Sequence, residues 1–162
     1  MKIGVISDTH IPTHANHLPA KVLDSLKTMD MILHAGDLVE LNVLGELKSI
    51  CNNVKAVCGN MDTIQVRDVL PKKEVIVIGK HKIGLTHGRG SATHIIESVT
   101  ETFRTDGVDI IVFGHSHHAL NEKIEGILYF NPGSLTDTVF APFNSYGILE
   151  INDQVQARIV KF

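Results

Sequence analysis

The chain begins with Lys2-Ile3-Gly4-Val5-Ile6-Ser7-Asp8-Thr9-His10, an apolar run that ends in an acidic residue and a histidine. The apolar run predicts a buried strand, and the polar residues follow where that strand ends. An amphipathic segment over 18–28 and an apolar run over 31–35 predict a helix and a second strand. A helix over 41–50 and a strand over 54–58 continue the alternation. This βαβαβ order implies right-handed crossovers and a parallel sheet, so the fold class is predicted to be α/β.

The second half of the chain has a different pattern. Apolar runs over 74–78 and 82–86 are joined by a short segment with glycine, which predicts a hairpin. A helix is predicted over 93–105 and a buried strand over 109–113. The remaining predicted strands flank short turns and are expected to be antiparallel; they are 123–124, 127–130, 146–151 and 155–161. The sheets are therefore predicted to be mixed.

Length and composition limit the classes of protein to which the chain can belong. Its 162 residues predict a single domain over residues 1–162, and a hydrophobic content of 43% excludes a disordered chain. The net charge of -3 argues against a dedicated binder of long nucleic acids, which would present a basic face. A small phosphorylated substrate is compatible with this charge, because bound cations would change the sign of the local field.

The two cysteines, Cys51 and Cys58, form neither a zinc-type pair nor a disulfide framework. We expect both to be buried thiols in a reducing compartment. No signal-peptide pattern precedes the first strand, and no apolar run is long enough to span a bilayer. The cytoplasm is the expected location, with no membrane partner.

Five short patches carry side chains that bind metals. They are Asp8-Thr9-His10, Gly36-Asp37, Gly59-Asn60-Met61-Asp62, His87-Gly88 and Gly114-His115-Ser116-His117. Most of them are weak evidence alone, because Gly-Asp and Gly-Asn pairs are also common in turns, but two histidines one residue apart after a buried strand, as in the last patch, are stronger evidence. Most of them, however, follow predicted strands, and loops at the carboxyl ends of strands converge on one crevice. Oxygen and nitrogen ligands without a thiolate favour Mn, Fe, Zn, Co or Ni, and a pair of such ions is the usual machinery for hydrolysing phosphate esters.

The ordered set of patches resembles the calcineurin-like metallophosphoesterase superfamily. The short chain and the segment Asn131-Pro132-Gly133-Ser134 are similar to its small, single-domain prokaryotic phosphodiesterase branch, and the resemblance runs from Met1 to about Ser134. It implies a four-layer α/β/β/α sandwich with two facing mixed β-sheets.

The resemblance also implies two divalent transition-metal ions, with Mn expected and Ni, Fe, Zn or Co as alternatives. The implied ligands are Asp8, His10 and His117 for one ion, Asn60, His87 and His115 for the other, and Asp37 as the bridge between them. The implied reaction is hydrolysis of a small phosphodiester by in-line attack of a metal-bridging hydroxide. Asn60 is expected to orient the phosphate, and Asp62 to hydrogen-bond a ligand histidine and fix its tautomer.

The chain departs from the family pattern at two points. Many superfamily members have a histidine after the Gly-Asn pair, which is credited with protonating the leaving group, whereas this chain has Met61. Substrates with good leaving groups should therefore react best, unless another acid such as His14, His17 or His94 serves. Many members of the small branch also carry an arginine shortly after the Asn-Pro-Gly-Ser segment. None follows here, and Arg89 is the cation that could replace it.

Other readings stay open. A phosphomonoesterase or a nuclease acting on short nucleotides would use the same ligands. Some proteins of this fold, such as the retromer subunit, are non-catalytic scaffolds that bind protein partners. A homo-oligomer also stays open, because small members of such families often pair through exposed strands. The loops over 63–72 and 135–144 are expected to carry specificity, His34 to lie in the core, and His81 to face solvent.

Overall fold

The computed structural model describes residues 1–162 and contains ten strands and four helices. The strands are β1 (Lys2–Ile6), β2 (Met31–His34), β3 (Val54–Ala56), β4 (Lys73–Ile78), β5 (His81–Thr86), β6 (Ile110–Val112), β7 (Leu120–Ile124), β8 (Ile127–Asn131), β9 (Ser145–Ile151) and β10 (Val155–Lys161). The helices are α1 (Ala20–Leu26), α2 (Leu41–Ile50), α3 (Ile64–Val69) and α4 (Ile95–Thr102).

The strands form two mixed sheets of five strands each. The first has the order β10-β9-β1-β2-β3, in which β1, β2 and β3 are parallel and β9 runs antiparallel to β1. The second has the order β4-β5-β6-β8-β7, in which the central three strands are parallel and the outer two are antiparallel. The predicted parallel βαβαβ start and the predicted mixed sheets are both confirmed.

Three apolar clusters lie between successive layers. One joins α1 and α2 to the first sheet and includes Val22, Leu47 and Ile32. A second contains Val5 of the first sheet and Ile83 and Val112 of the second. A third joins α4 to the outer face of the second sheet and includes Val99, Phe103 and Ile111. The layer order is therefore α/β/β/α, as the resemblance implied.

Two helices are shorter than predicted, and one helix was not predicted. Pro19 is extended, with ψ of 127°, so α1 begins at Ala20 and not at residue 18. Helix α4 is also shorter than predicted, over Ile95–Thr102. Helix α3 lies in a segment that was expected to be a loop. The sequence pattern does not reveal this helix, because it has six residues and only Val66 is buried. None of the helices combines the length and the apolar character that crossing a bilayer requires.

Two glycines provide a matched test of the packing. Gly147 in β9 leaves room for the buried ring of Phe130, whose Cζ would lie 2.5 Å from an added Cβ. Gly147→Ala should lower the free energy of unfolding by about 1–3 kcal/mol, because the ring and the sheet would have to move. Gly45 in α2 has nothing within 4 Å of an added Cβ. Gly45→Ala should instead raise the free energy of unfolding by about 0.5–1 kcal/mol.

Urea unfolding of both variants measures the two changes. Similar destabilisation by both substitutions would contradict this packing of Phe130 between the sheets.

Candidate metal centre

The metal-binding residue types all lie in loops that follow parallel strands. Asp8 and His10 follow β1, Asp37 follows β2 and Asn60 follows β3. In the second sheet, His87 follows β5, and His115 and His117 follow β6. The carboxyl ends of these strands open toward the same side of the molecule, so the loops of both sheets meet at one site.

The backbone of these loops is in the left-handed region. The φ angles of Asp8, His10, Asp37, His115 and His117 are 52°, 42°, 57°, 68° and 58°. Non-glycine residues rarely adopt this region, and the surrounding structure must hold them there. The backbone at Asp8 and His10 is therefore not a continuation of the extended strand. A left-handed turn at each residue brings the two side chains together.

Hydrogen bonds between the loops hold this backbone in place. The amide of Asp8 donates to the carbonyl of Gly36 at 3.0 Å, and the amide of His10 donates to the carbonyl of Asp37 at 3.1 Å. Gly36 is required because its φ is +97° and a Cβ there would lie 2.7 Å from Nδ1 of His87. The loops after β1, β2 and β5 thus fix one another.

Asp8, His10 and His117 form the first group of ligands, whose donor atoms all lie within 4.8 Å of one another. Nε2 of His117 is 3.3 Å from Oδ1 of Asp8 and 3.3 Å from Nε2 of His10. Nε2 of His10 is 3.9 Å from the same Asp8 oxygen. Two imidazole nitrogens and a carboxylate oxygen therefore face one point, as metal coordination requires.

Asp8, Asp37 and His87 form the second group, again within 4.8 Å of one another. Nε2 of His87 lies 3.2 Å from Oδ2 of Asp37 and 3.0 Å from Oδ1 of Asn60. Nδ1 of His115 is 2.8 Å from the same Asn60 oxygen. The structure thus brings together all seven residues predicted as metal ligands, and Asp8 belongs to both groups.

The outer nitrogens of three histidines are hydrogen-bonded away from the site. Nδ1 of His87 donates to the carbonyl of Ala35 at 2.7 Å, Nε2 of His115 donates to the carbonyl of Gly90 at 2.9 Å, and Nδ1 of His117 donates to Asp137. Each of these contacts fixes the ring and leaves the other nitrogen facing the carboxylates and Asn60. This is the arrangement by which proteins orient imidazole ligands toward a metal.

One oxygen of Asp8 has no hydrogen-bond partner. The side chain is fully buried, and while Oδ2 accepts from the amide of His115 at 3.1 Å, Oδ1 accepts no hydrogen bond and lies 3.3 Å from Nε2 of His117. A buried carboxylate oxygen without a partner is costly unless a cation lies beside it. Oδ1 lies 3.3 Å from Nε2 of His117 in the first group and 3.9 Å from Nε2 of His87 in the second, so the residues present fit two divalent cations.

The charges of the carboxylates and histidines act on one another. Burial alone would lower the pKa of His87, but the hydrogen bond with Asp37 and the charge of Asp8 outweigh it and raise this pKa to about 9. Burial would also lower the pKa of His117, but the hydrogen bonds and charges of Asp8 and Asp137 outweigh it and raise this pKa to about 9. Burial raises the pKa of both Asp8 and Asp37, yet the adjacent histidines hold both pKa values below the ordinary range. Without metal, protons on His87 and His117 provide the positive charge.

Asp62 does not contact a ligand histidine, so that expectation is wrong. Its carboxylate accepts hydrogen bonds from the backbone amides of Asp37 at 3.2 Å, Val39 at 2.6 Å and Gly59 at 2.6 Å. These amides belong to the loops after β2 and β3. Asp62 therefore positions Asp37 and Asn60 through the backbone.

Asp137 makes the contact that was expected of Asp62, and no pattern in the sequence pointed to it. It is buried, accepts from Nδ1 of His117, and accepts from the amide of Val139 at 2.7 Å. Burial raises its pKa, but the contact with His117 and the backbone amides outweigh this and lower the pKa to about 2. The only nearby cue is the Asn131-Pro132-Gly133-Ser134 segment, from which Ser134 Oγ donates to the carbonyl of Asp8 at 2.8 Å.

The candidate acids differ in their distance from the ligands. His14 is exposed and its ring centroid lies 4.6 Å from that of His10, whereas Nδ1 of His94 is hydrogen-bonded to Ser91. His17 is exposed and belongs to neither ligand group. Met61 is 58% exposed beside Asn60. His14 is therefore the one candidate acid next to a ligand side chain.

Two other histidines lie outside the ligand groups. His34 is buried, as expected, and burial lowers its pKa to about 3, so it is neutral. It accepts from the amide of Gly36 at 3.2 Å and so supports the loop after β2. His81 does not face solvent freely, because its Nδ1 lies 2.5 Å from a carboxylate oxygen of Asp109.

Asp137→Asn should weaken binding of divalent metal by about tenfold to a hundredfold, because the neutral amide holds the His117 ring less firmly and leaves Nε2 a poorer ligand. Calorimetric titration with Mn²⁺ measures the affinity. The matched control is Asp153→Asn on the exposed turn between β9 and β10, which should leave the affinity unchanged. Equal affinities for the Asp137 variant and the control would show that Asp137 does not support a metal ligand.

Metal affinity should rise with pH between about 7 and 9. The raised pKa values of His87 and His117 mean that their protonation stabilises the metal-free fold at low pH. This stabilisation is complete below the ordinary histidine pKa of about 6.5 and is lost as the pH rises through about 9. A metal must displace these protons, so calorimetry in two buffers of different ionisation enthalpy should detect proton release. Binding that is independent of both pH and buffer would contradict the assignment.

Comparison with known proteins places the chain in a family. The model of the calcineurin-like phosphoesterase superfamily domain matches residues 1–154. A probable metallophosphoesterase of Methanocaldococcus jannaschii is 36% identical over 165 residues, which cover 99% of this chain and 81% of that protein. A phosphodiesterase of the same organism is 29% identical over 149 residues, which cover 82% of this chain and 83% of that protein.

A solved structure agrees with the fold. Vps29 of Entamoeba histolytica, complexed with Zn²⁺, has a TM-score of 0.80 and 31% identity, with 99% of each chain covered. Its zinc ion accords with the use of divalent metals in this family. The chain is therefore a member of the calcineurin-like phosphoesterase superfamily.

Proposed function

We propose that residues 1–162 form one domain that hydrolyses a small phosphodiester with the help of two divalent metal ions. The observation that carries this proposal is Oδ1 of Asp8, which accepts no hydrogen bond and faces imidazole nitrogens of both ligand groups. A buried anionic oxygen is costly to keep without a hydrogen-bond donor, and a cation beside it would offset that cost.

The proposed metal ligands divide into two sets. One ion would be held by Asp8, His10 and His117, and the other by Asn60, His87 and His115. Asp37 would lie between the ions, because its Oδ2 is 3.2 Å from Nε2 of His87 and 3.9 Å from Nε2 of His10. When bound, such a pair of ions lowers the pKa of a water and offsets charge on the phosphoryl oxygens. We propose Mn²⁺, with Ni, Fe, Zn and Co as alternatives, since no ligand is a thiolate.

The side chains of the protein would bind and orient the phosphate. Asn60 accepts at Oδ1, while its Nδ2 makes no hydrogen bond within the protein and can donate to a phosphoryl oxygen. Asp62 would hold the backbone beneath Asn60 and act as a positioning residue. Asp137 would hold His117, and the left-handed loops would keep both ligand sets in place before substrate arrives.

A reducing compartment such as the cytoplasm is the proposed location. Cys51 and Cys58 are both buried, unpaired thiols, which suits such a compartment.

A protein-binding role is the second candidate, and the similarity to Vps29 favours it. Met61 adds to this reading, since it occupies a position where many members of the superfamily have a catalytic histidine. The complete set of seven ligand side chains supports the enzyme more strongly.

Hydrolysis of bis-p-nitrophenyl phosphate by metal-stripped protein, with and without Mn²⁺, tests the proposal. We expect turnover only with metal. Asp37→Asn should lower kcat/KM by more than about a hundredfold, because substituting even a residue that only supports a metal ligand typically costs about tenfold to a hundredfold. Asp153→Asn serves as the matched control and should keep its activity. Faster turnover of p-nitrophenyl phosphate would favour a phosphomonoesterase. Stoichiometric metal binding without turnover with any of Mn, Ni, Co, Zn or Fe would favour a binding protein.

Met61→His should raise the turnover of diesters with poor leaving groups, such as alkyl nucleotides, by at least about tenfold, since it adds a general acid. The 58% exposure of Met61 means that the substitution should be tolerated by the fold. Turnover of bis-p-nitrophenyl phosphate should change much less, because nitrophenolate leaves without a proton. An equal effect on both types of ester would contradict the role assigned to this position.

A further inference from the structure

A large cavity opens next to the second ligand group. Its volume is about 730 Å³, within the usual range for sites that bind small molecules. Asn60 and His87 form part of its wall, so the cavity is continuous with the candidate metal centre. A substrate whose phosphorus lies at the metals could therefore extend into it.

The lining of this cavity is basic. Four cationic side chains contribute to it, and no carboxylate does; the four are Arg67, Lys72, Lys73 and Arg89. The protein as a whole has 15 lysines and arginines and 18 acidic residues, so the cavity wall is positively charged although the protein has a net negative charge. Cys58 is the hydrophobic residue in the wall.

Two of these cations are unused by the protein itself. Lys73 is paired with Asp106 at 2.9 Å, and Arg67 donates from Nη2 to the carbonyl of Asn60 at 2.5 Å. Neither Lys72 nor Arg89 makes a side-chain hydrogen bond or an ion pair. The charges of Lys72 and Arg89 are thus available to a ligand.

The main chain around these cations is anchored, so the cavity has a defined wall. Thr86 Oγ1 donates to the carbonyl of Lys72 at 3.1 Å, and the amide of Cys58 donates to the carbonyl of Pro71 at 2.9 Å. These bonds fix residues 71–72 to β5 and to the loop after β3. Arg89 lies two residues after His87. Arg67 lies on α3 and donates a hydrogen bond to the backbone carbonyl of Asn60. The basic groups are therefore held on segments that also position ligands.

We propose that this cavity binds a second anionic group of the substrate, a phosphate or a carboxylate, remote from the ester that is cleaved. The proposal rests on the proposed function and narrows the substrate to phosphodiesters that carry another negative charge. Lys72 and Arg89 would contact that group, and Arg67 would add to the positive field. The cavity wall has cations that no protein group pairs with, and it has no carboxylate. An anionic group of the substrate is the occupant whose charge matches this wall best.

A pair of substrates that differ by one phosphate tests this proposal. The p-nitrophenyl ester of thymidine 5′-phosphate lacks the second anion, and the same ester with a 3′-phosphate carries it. We expect kcat/KM to be at least about tenfold higher for the second ester, because one charge-assisted contact contributes that much. The preference should fall as salt is raised, since the cavity is open to solvent.

The double variant Lys72→Gln/Arg89→Gln should bring the ratio of the two kcat/KM values close to one. Arg104→Gln is the matched control, because Arg104 is exposed, pairs with Glu101 at 3.3 Å and does not line the cavity. The control should keep the full ratio. A ratio near one in the unaltered protein, or an unchanged ratio in the double variant, would overturn the proposal.

Calorimetry with metal-loaded protein separates this proposal from the proposed function. Thymidine 3′,5′-bisphosphate should bind at least about tenfold more tightly than thymidine 5′-phosphate, and the double variant should lose this difference. If neither ester is hydrolysed, the proposed function fails, and the binding ratio alone decides the role of the cavity. Equal binding of the two nucleotides would overturn the anion site.

Discussion

The carboxylate of Asp8 is the constraint on which the rest of the site depends. It is fully buried at the end of the central strand of the first sheet, and one of its oxygens has no hydrogen-bond donor. A charge in that position must be balanced by neighbouring positive charge, or the fold loses stability. In the protein alone the balance comes from protonated imidazoles, notably His117. Two divalent cations would balance it more completely.

Asp8 also connects the loops around it. Its amide contacts the loop after β2, its Oδ2 accepts from the amide of His115, and its carbonyl accepts from Ser134 Oγ. The two sheets pack face to face through an apolar layer. At the carboxyl ends of their parallel strands, these polar contacts of Asp8 also join them. The left-handed backbone at five ligand positions is the conformational cost of this arrangement, and it keeps the ligands in place without substrate.

Much of this could be predicted from the sequence, because strand ends and ligand types are local features. The alternation of apolar runs and helices predicted the mixed sheets, and the five patches predicted which loops would meet. What the sequence did not predict depends on distant contacts. Helix α3 has a single buried residue and leaves no periodic pattern, and Asp137 is an ordinary acid until the fold brings it to His117. The interpretation of Asp62 failed for the same reason, since its partners are backbone amides that no residue pattern reveals.

The most direct test of the two-metal site is the crystal structure of the protein soaked in Mn²⁺, with anomalous diffraction used to locate the ions. We expect two anomalous peaks about 3.5–4 Å apart, one beside His10 and His117 and the other beside His87 and His115. Oδ1 of Asp8 and Oδ2 of Asp37 should then lie against the ions. A single peak, or peaks away from Asp8, would contradict a two-metal site.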